Sequence, residues 1–413
     1  MTLVYLSNCA VNPSGVPGPF MLQELPWLCE HFSRVVMVGN YGIRTITGEE
    51  GARYAVIRPI DGILRSFAEA PFRKEFWQEL LRMRRDGRLT VRNALKLLAF
   101  TQRGLKMHYW TERMLRASSD ATITFYSFWM SYDAYAGALS KRKHPKARFV
   151  ARGHAYDIDT ERTPLNPYLM KKVIADAADG LYLISQTAKG QYMDYMQGRV
   201  DENKVNVLAM GSAGQPVQTC REAPRFTQGV LRVISCAQII PIKQVDMLVH
   251  ALSQWDGMPL CWTHIGGGSG EEELRQLAAF KLDPKENVIC EILGAKDSEK
   301  IQQIYETRSF DVFINTSRKE GVPISIMEAM RYGTPVIAPN VGGIPELVKP
   351  EFGWLFDPAK GADGVLEALH AYAALSQEET QRMREAAQEC WNNGYCSQAL
   401  LPRLFPDKAD GRR

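Results

Sequence analysis

Residues 320–348 read EGVPISIMEAMRYGTPVIAPNVGGIPELV. A strand-like run, FDVFINTS (310–317), ends just before Glu320, and a second, TPVIAP (334–339), follows a short apolar helix-like run. Strand, helix and returning strand in so few residues are the repeating unit of a parallel α/β sheet. Pro323 is tolerated near the helix start, where its missing N–H is not needed. Gly333 suits the position just past the helix end. The amides of residues 321–325 would then lack intrahelical partners, and the helix dipole behind them favours an anion such as phosphate. Glu320 at the mouth can accept hydrogen bonds from hydroxyl groups. Glu328, about two turns deeper, can take a second diol such as a ribose. A diphosphate between two polyols is a nucleotide sugar. Acids near a helix start are also ordinary complements of its dipole, so the spacing alone leaves both readings open.

Outward from this stretch the pattern repeats. Strand-like GVLRVISCAQII (229–240), PLCWTHIGGG (259–268) and NVICEILG (287–294) alternate with helical KQVDMLVHALSQW (243–255), SGEEELRQLAAF (269–280) and DSEKIQQIYETR (297–308). The first half opens similarly: strand TLVYLS (2–7), turn NPSGVPGP (12–19), helix FMLQELPWLCEHF (20–32) and strand RVVMVGNY (34–41). Strands are also expected over 121–129, 147–154 and 180–185, with a helix near 167–178. Such alternation predicts two Rossmann-like, doubly wound parallel-sheet domains facing a cleft. Periodicity lapses over 205–229, which puts the seam near 210. The expected domains are 1–210 and 211–385, with 386–413 a C-terminal tail packing back toward the first.

The 413 residues are too many for one comfortable core. The eight cysteines are scattered with no CxxC pair, which fits a reducing cytosol better than a disulfide framework. The N-terminus has no basic leader region, and no apolar run approaches the roughly 20 residues that span a bilayer. A net charge of +4 gives no sign of nucleic-acid binding. The charge is unevenly spread: between Phe72 and Arg116 stand twelve Lys and Arg against four Asp and Glu. This block reads as helices, with Phe72, Phe76, Leu80 and Met83 at helical spacing.

The stretch 320–348, together with HIGGGSGEEELRQL, NVICEILG and the spacing of SCAQIIPIKQVDMLVHAL, closely resembles the retaining GT-B glycosyltransferases of family four. The likeness covers nearly all of the second half in order. In the first half RGHAYDIDTERTPLNPYLMKKVIADAADGLYLIS is similar to the family's histidine loop and the helix after it. The variant most resembles members that build bacterial exopolysaccharide, capsule or lipopolysaccharide. The resemblance implies a UDP- or GDP-sugar donor, a glycan or lipid-linked acceptor, and no metal or other cofactor. It also implies that Glu320 holds hydroxyls of the donor sugar, Glu328 the ribose, and the backbone at Gly321, Ile324 and Ser325 the diphosphate. His154 matches the histidine near the reaction centre, and Gly15 lies in the turn that approaches the phosphates, although NPSGVPG departs from the family's double glycine. In the family's phosphate clamp an Arg follows the first strand of the second domain and a Lys sits five residues later. Here Lys243 fills the second position, but Gln238 stands at the first. Arg318 or Lys319 could supply the missing cation. Retaining chemistry of this kind needs no strong protein nucleophile, since the leaving diphosphate helps deprotonate the acceptor and the protein supplies positioning and charge.

Other features carry two readings. A histidine closing a strand is also a common hydrogen-bonded loop residue. The DID run (Asp157, Asp159) mimics a DxD metal motif but follows the histidine loop, so it is read as loop chemistry or an acceptor contact. GGGSG (266–270) fits no GxGxxG register, and Glu271, Glu272 and Glu273 would repel a pyrophosphate there, so a strand-to-helix turn is expected and an NAD-dependent dehydrogenase disfavoured. The basic block is either a solvated face or, through Phe72, Phe76, Trp77 and Trp110, a peripheral patch for anionic lipid at the inner face of the plasma membrane. An epimerase of the same fold and a non-catalytic sugar-nucleotide or glycan binder remain as alternatives to a transferase.

Overall fold

Strands that are apolar on both faces are stable only where helices cover the sheet on either side, and the chain supplies two sets of them. The computed structural model describes residues 1–9, 21, 23–47, 60–116, 122–158, 165, 169–212, 214 and 222–406. They form two units, Met1–Ala209 with Leu401–Arg413, and Met210–Leu400.

The first unit holds seven strands: β1 (Thr2–Leu6), β2 (Arg34–Gly39), β3 (Gly42–Thr47), β4 (Ile123–Ser127), β5 (Arg148–Gly153), β6 (Gly180–Leu183) and β7 (Val205–Val207). Their order is β3-β2-β1-β4-β5-β6-β7. All pairs are parallel except the β2–β3 hairpin at one edge. The hairpin is an addition to the expected set. The helix expected over 20–32 is described as Leu25–His31, with Pro26 in its first turn. The basic block forms the helices Lys74–Arg85 and Val91–Arg116. Phe76 and Trp110 are buried, and the expected patch loses them. Phe72, expected on the buried stripe, is 83% exposed because it sits in a 3-10 turn before the helix begins.

The second unit holds β8 (Leu231–Cys236), β9 (Leu260–Ile265), β10 (Val288–Ile292), β11 (Val312–Ile314), β12 (Val336–Pro339) and β13 (Gly353–Phe356). Their order is β10-β9-β8-β11-β12-β13, parallel throughout. One core packs Trp255, Trp262 and Leu369 against the sheet, and another packs Ile326, Met330 and Trp391. The helix Gln377–Gly394 lies within this unit, held by a hydrogen bond from Trp391 Nε1 to Ser212 Oγ at 2.7 Å. The chain from 386 is therefore not one tail. Only residues from Leu401 group with the first unit, where Phe405 packs on Trp27, Phe32 and Tyr126.

Candidate functional site

In the second sheet the winding reverses between β8 and β11, and ligands of open α/β sheets bind beyond the carboxyl ends of strands at such a point. Beyond β8 the chain turns through Gln238, which is exposed, to a 3-10 turn at Pro241–Lys243. Beyond β11 it runs through Thr316–Gly321. The two segments are stitched together: Thr316 Oγ1 donates to Lys243 O at 3.0 Å, and Arg318 N to Ile242 O at 2.9 Å. Their side chains meet as well. Lys243 Nζ hydrogen-bonds Glu320 Oε1, which also accepts from Ser317 Oγ at 2.7 Å. These two ionic side chains are 23% and 13% exposed, so the pair is shielded but reachable. Arg318 and Lys319 stand on the same loop, Arg318 exposed.

Two glycine turns close on this pair of loops. Gly342 has φ +55°, and a Cβ there would lie 1.9 Å from Glu320 O; one on Gly343 would lie 2.4 Å from Gly321 O. Only glycine allows the β12 exit to rest on the backbone of Glu320 and Gly321. The GGGSG run is the turn from β9 into the helix Glu271–Leu282, and a Cβ on Gly266 would meet Ala237 O at 1.8 Å.

The helix Ile324–Arg331 starts here, with Pro323 as its N-cap and no side-chain cap, so the amides of Ile324 and Ser325 end the helix unmasked. Gly333 follows the helix with φ +63°. Glu328 is half-buried one turn on, and burial pushes its carboxyl up to about 7, partly offset by Arg331. A diol donates hydrogen bonds that favour the ionised form, so a nucleotide ribose bound there pulls this value down and expels a proton. Affinity for UDP or GDP should therefore strengthen as pH rises, by roughly tenfold between pH 6 and 8. Calorimetry at pH 7 in two buffers should show about half a proton released per nucleotide. A pH-independent affinity, or the same release from Glu328→Gln, would remove Glu328 from the nucleotide site.

In the first unit His154 ends β5, 4% exposed, stacked on Phe128 and against Trp129 at 4.8 and 4.5 Å between ring centroids. Burial holds its pKa below the usual range, against the pull of Asp157. Neither ring nitrogen has a hydrogen-bond partner among the described residues. Its backbone is fixed: Asp157 Oδ2 accepts from His154 N and Met130 N, each at 3.1 Å. Asp157, read from the sequence as a DxD mimic, is a buried loop anchor; Asp159 and Gly15 lie outside the described residues. The buried partners of Asp157, Asp133 and Lys171, carry no motif and are visible only in three dimensions. Ser317 was missed for the same reason. Among the described residues no three His, Cys, Asp or Glu side chains gather as metal ligands.

Residues 218–390 match the sequence model of a family described as glycosyl transferases group 1. The chain is 29% identical over 218 residues to WcaL of Escherichia coli K12, named for colanic acid biosynthesis, covering 49% of this chain and 51% of that one. It is 29% identical over 161 residues to the amylovoran biosynthesis glycosyltransferase AmsK of Erwinia amylovora, covering 37% of this chain and 38% of that one. It thus spans about half the length of the first relative and less of the second. Among solved structures, Anabaena Alr3699/HepE in complex with UDP superposes with a TM-score of 0.55 at 17% identity, over 74% of this chain and 82% of that one. That likeness is one of fold, GT-B.

Proposed function

We propose that the protein, whose residues 218–390 match the group 1 glycosyl transferases, moves a sugar from a UDP- or GDP-sugar to a glycan or lipid-linked acceptor, with retention at the anomeric carbon, in surface polysaccharide biosynthesis. The observation that carries this reading is the Lys243–Glu320–Ser317 cluster beside an uncapped helix start, with Glu328 behind it. Lys243 and the amides of Ile324 and Ser325 take the diphosphate, Glu320 the sugar hydroxyls and Glu328 the ribose. Gln238 offers no charge, so in this reading the diphosphate rests on Lys243 and the helix end, with Arg318 or Lys319 on the same loop as the second cation, and with no metal. In the first unit, His154 is kept in this reading as the candidate reaction-centre histidine that the family resemblance implies. The relatives named for colanic acid and amylovoran biosynthesis support the polysaccharide assignment.

Incubation with UDP- and GDP-sugars, with melting temperature and products followed, tests this reading. One base should raise the melting temperature, and that donor should be hydrolysed or its sugar transferred, unchanged by EDTA. An isomerised donor would make the protein an epimerase, and binding without turnover would make it a binding protein.

The acceptor side includes a lipid surface in this reading. Ile60, Leu64 and Phe67 lie along one face of the helix Ile60–Glu69 and are 71%, 67% and 64% exposed; Phe72, Trp77, Leu81, Leu89, Val91 and Leu95 are exposed nearby in sequence. Six exposed cations, Arg65, Lys74, Arg84, Arg85, Arg92 and Lys96, accompany them. Apolar side chains with a basic fringe suit a bilayer carrying anionic headgroups, which supports a peripheral position at the inner, cytoplasmic face of the plasma membrane as part of this reading. Vesicles containing phosphatidylglycerol should capture it, less so in high salt, and Leu64→Glu with Phe67→Glu should release it. Equal capture by neutral vesicles, or none, would leave this face without a lipid role.

A further inference from the structure

The first unit contains a cavity of about 410 Å³ that the reading above does not use. It is bounded by the short helix Ala155–Ile158, by the helix Gln186–Met196 and by the turn after Arg85. Its volume falls in the range of small-molecule sites. Two of its lining residues, Tyr192 and Asp157, are 1% and 0% exposed. The Tyr192 hydroxyl and Asp157 Oδ1 are buried without a hydrogen-bond partner among the described residues. Buried polar atoms are rarely left so, and two on one cavity point to a ligand that satisfies both.

The rest of the lining defines that ligand's chemistry. Arg88 and Arg199 donate, Asp86 and Asp194 accept, and Gln191 does both. Three carboxylates against two guanidinium groups disfavour a phosphate. A group that donates and accepts at every edge satisfies such a surface, and sugar hydroxyls do. Tyr195, with Arg82 over its ring at 5.2 Å, adds an aromatic wall. We propose that this cavity is a subsite for a hydroxyl-rich segment of the acceptor glycan. It rests on the transferase reading. The carboxylate of Asp157 is shared: Oδ2 holds the backbone of His154, and Oδ1 is left for the glycan.

The full-length protein should bind particular sugars on an array of bacterial surface oligosaccharides. Gln191→Trp, an exposed position whose enlargement fills the cavity, should abolish that binding. Tyr192→Phe should weaken it about 2- to 10-fold, the worth of one hydrogen bond, without lowering the melting temperature, since the lost hydroxyl has no partner among the described residues. UDP and GDP binding, measured by calorimetry, should be unchanged in both variants. Retained nucleotide binding with no glycan captured, or capture unaltered by Gln191→Trp, overturns the subsite alone. Loss of nucleotide binding in the wild type overturns the transferase reading instead.

Discussion

Glu320→Gln should lower the rate of sugar transfer by roughly 10²-fold or more, the scale of losing one preorganised polar contact at a reacting centre. The replacement keeps the shape of the side chain and removes its charge. In the ligand-free protein Glu320 Oε1 is shared between Lys243 and Ser317. Donor binding must therefore trade the Lys243–Glu320 pair for a Lys243–diphosphate pair and a Glu320–sugar pair. In the Gln variant Lys243 is released in advance, so the donor KM should hold steady or fall while kcat collapses. That split separates a contact made in the transition state from a merely structural one, which would raise KM with kcat retained. The melting temperature should move little, because the glutamine Oε1 can still accept from buried Ser317 and the partly exposed Lys243 can turn to water. Steady-state kinetics with kcat near the wild-type value would remove Glu320 from the reaction.

The parts of this site that were legible in the sequence are those made of consecutive residues. Glu320, Pro323 and Gly333 announce a loop, a helix start and a helix end because each acts through local backbone chemistry. Nothing in the sequence told that the paired glycines at 342 and 343 seat on the carbonyls of Glu320 and Gly321. That is a contact between the exits of neighbouring strands, and no spacing encodes it. Lys243 was placed by family resemblance, and its pairing with Glu320 came only with the fold. Phe76 and Trp110 misled because an aromatic among arginines reads alike whether it faces the core or the solvent. The helix Val91–Arg116 packs on several neighbours and has no single apolar stripe. Asp157 was read as loop chemistry or an acceptor contact, and its depth beneath His154, which no spacing encodes, makes it a backbone anchor.

Asp157→Ala should destabilise the first unit by about 2–5 kcal/mol, the cost of leaving the buried amides of Met130 and His154 without their acceptor. Asp157 is fully buried, as are Asp133 and Lys171. Lys171 Nζ donates to Met130 O, and burial lowers its pKa against the pull of Asp157 and Asp133. Asp133 accepts from the amides of Asn8, Ser131 and Ala134 at 3.3, 3.2 and 3.1 Å. The two carboxylates thus tie together the chain just beyond β1, β4 and β5. Removing Asp157 strands the amides of Met130 and His154 and leaves Lys171 facing Asp133 alone. Asp157→Asn keeps an acceptor for those amides but not the charge, so it should recover part of the lost stability. If His154 acts on the donor sugar, its placement depends on this anchor, and Asp157→Ala should also depress kcat at temperatures well below its melting point. Asp157→Asn should retain more of the rate than Asp157→Ala, in the same order as stability. Denaturant titration and single-turnover rates measure the two effects separately. An alanine variant with unchanged stability would show that Lys171 is balanced by Asp133 alone. One that is unstable yet turns over at the wild-type rate would show that His154 keeps its place without the carboxylate beneath it.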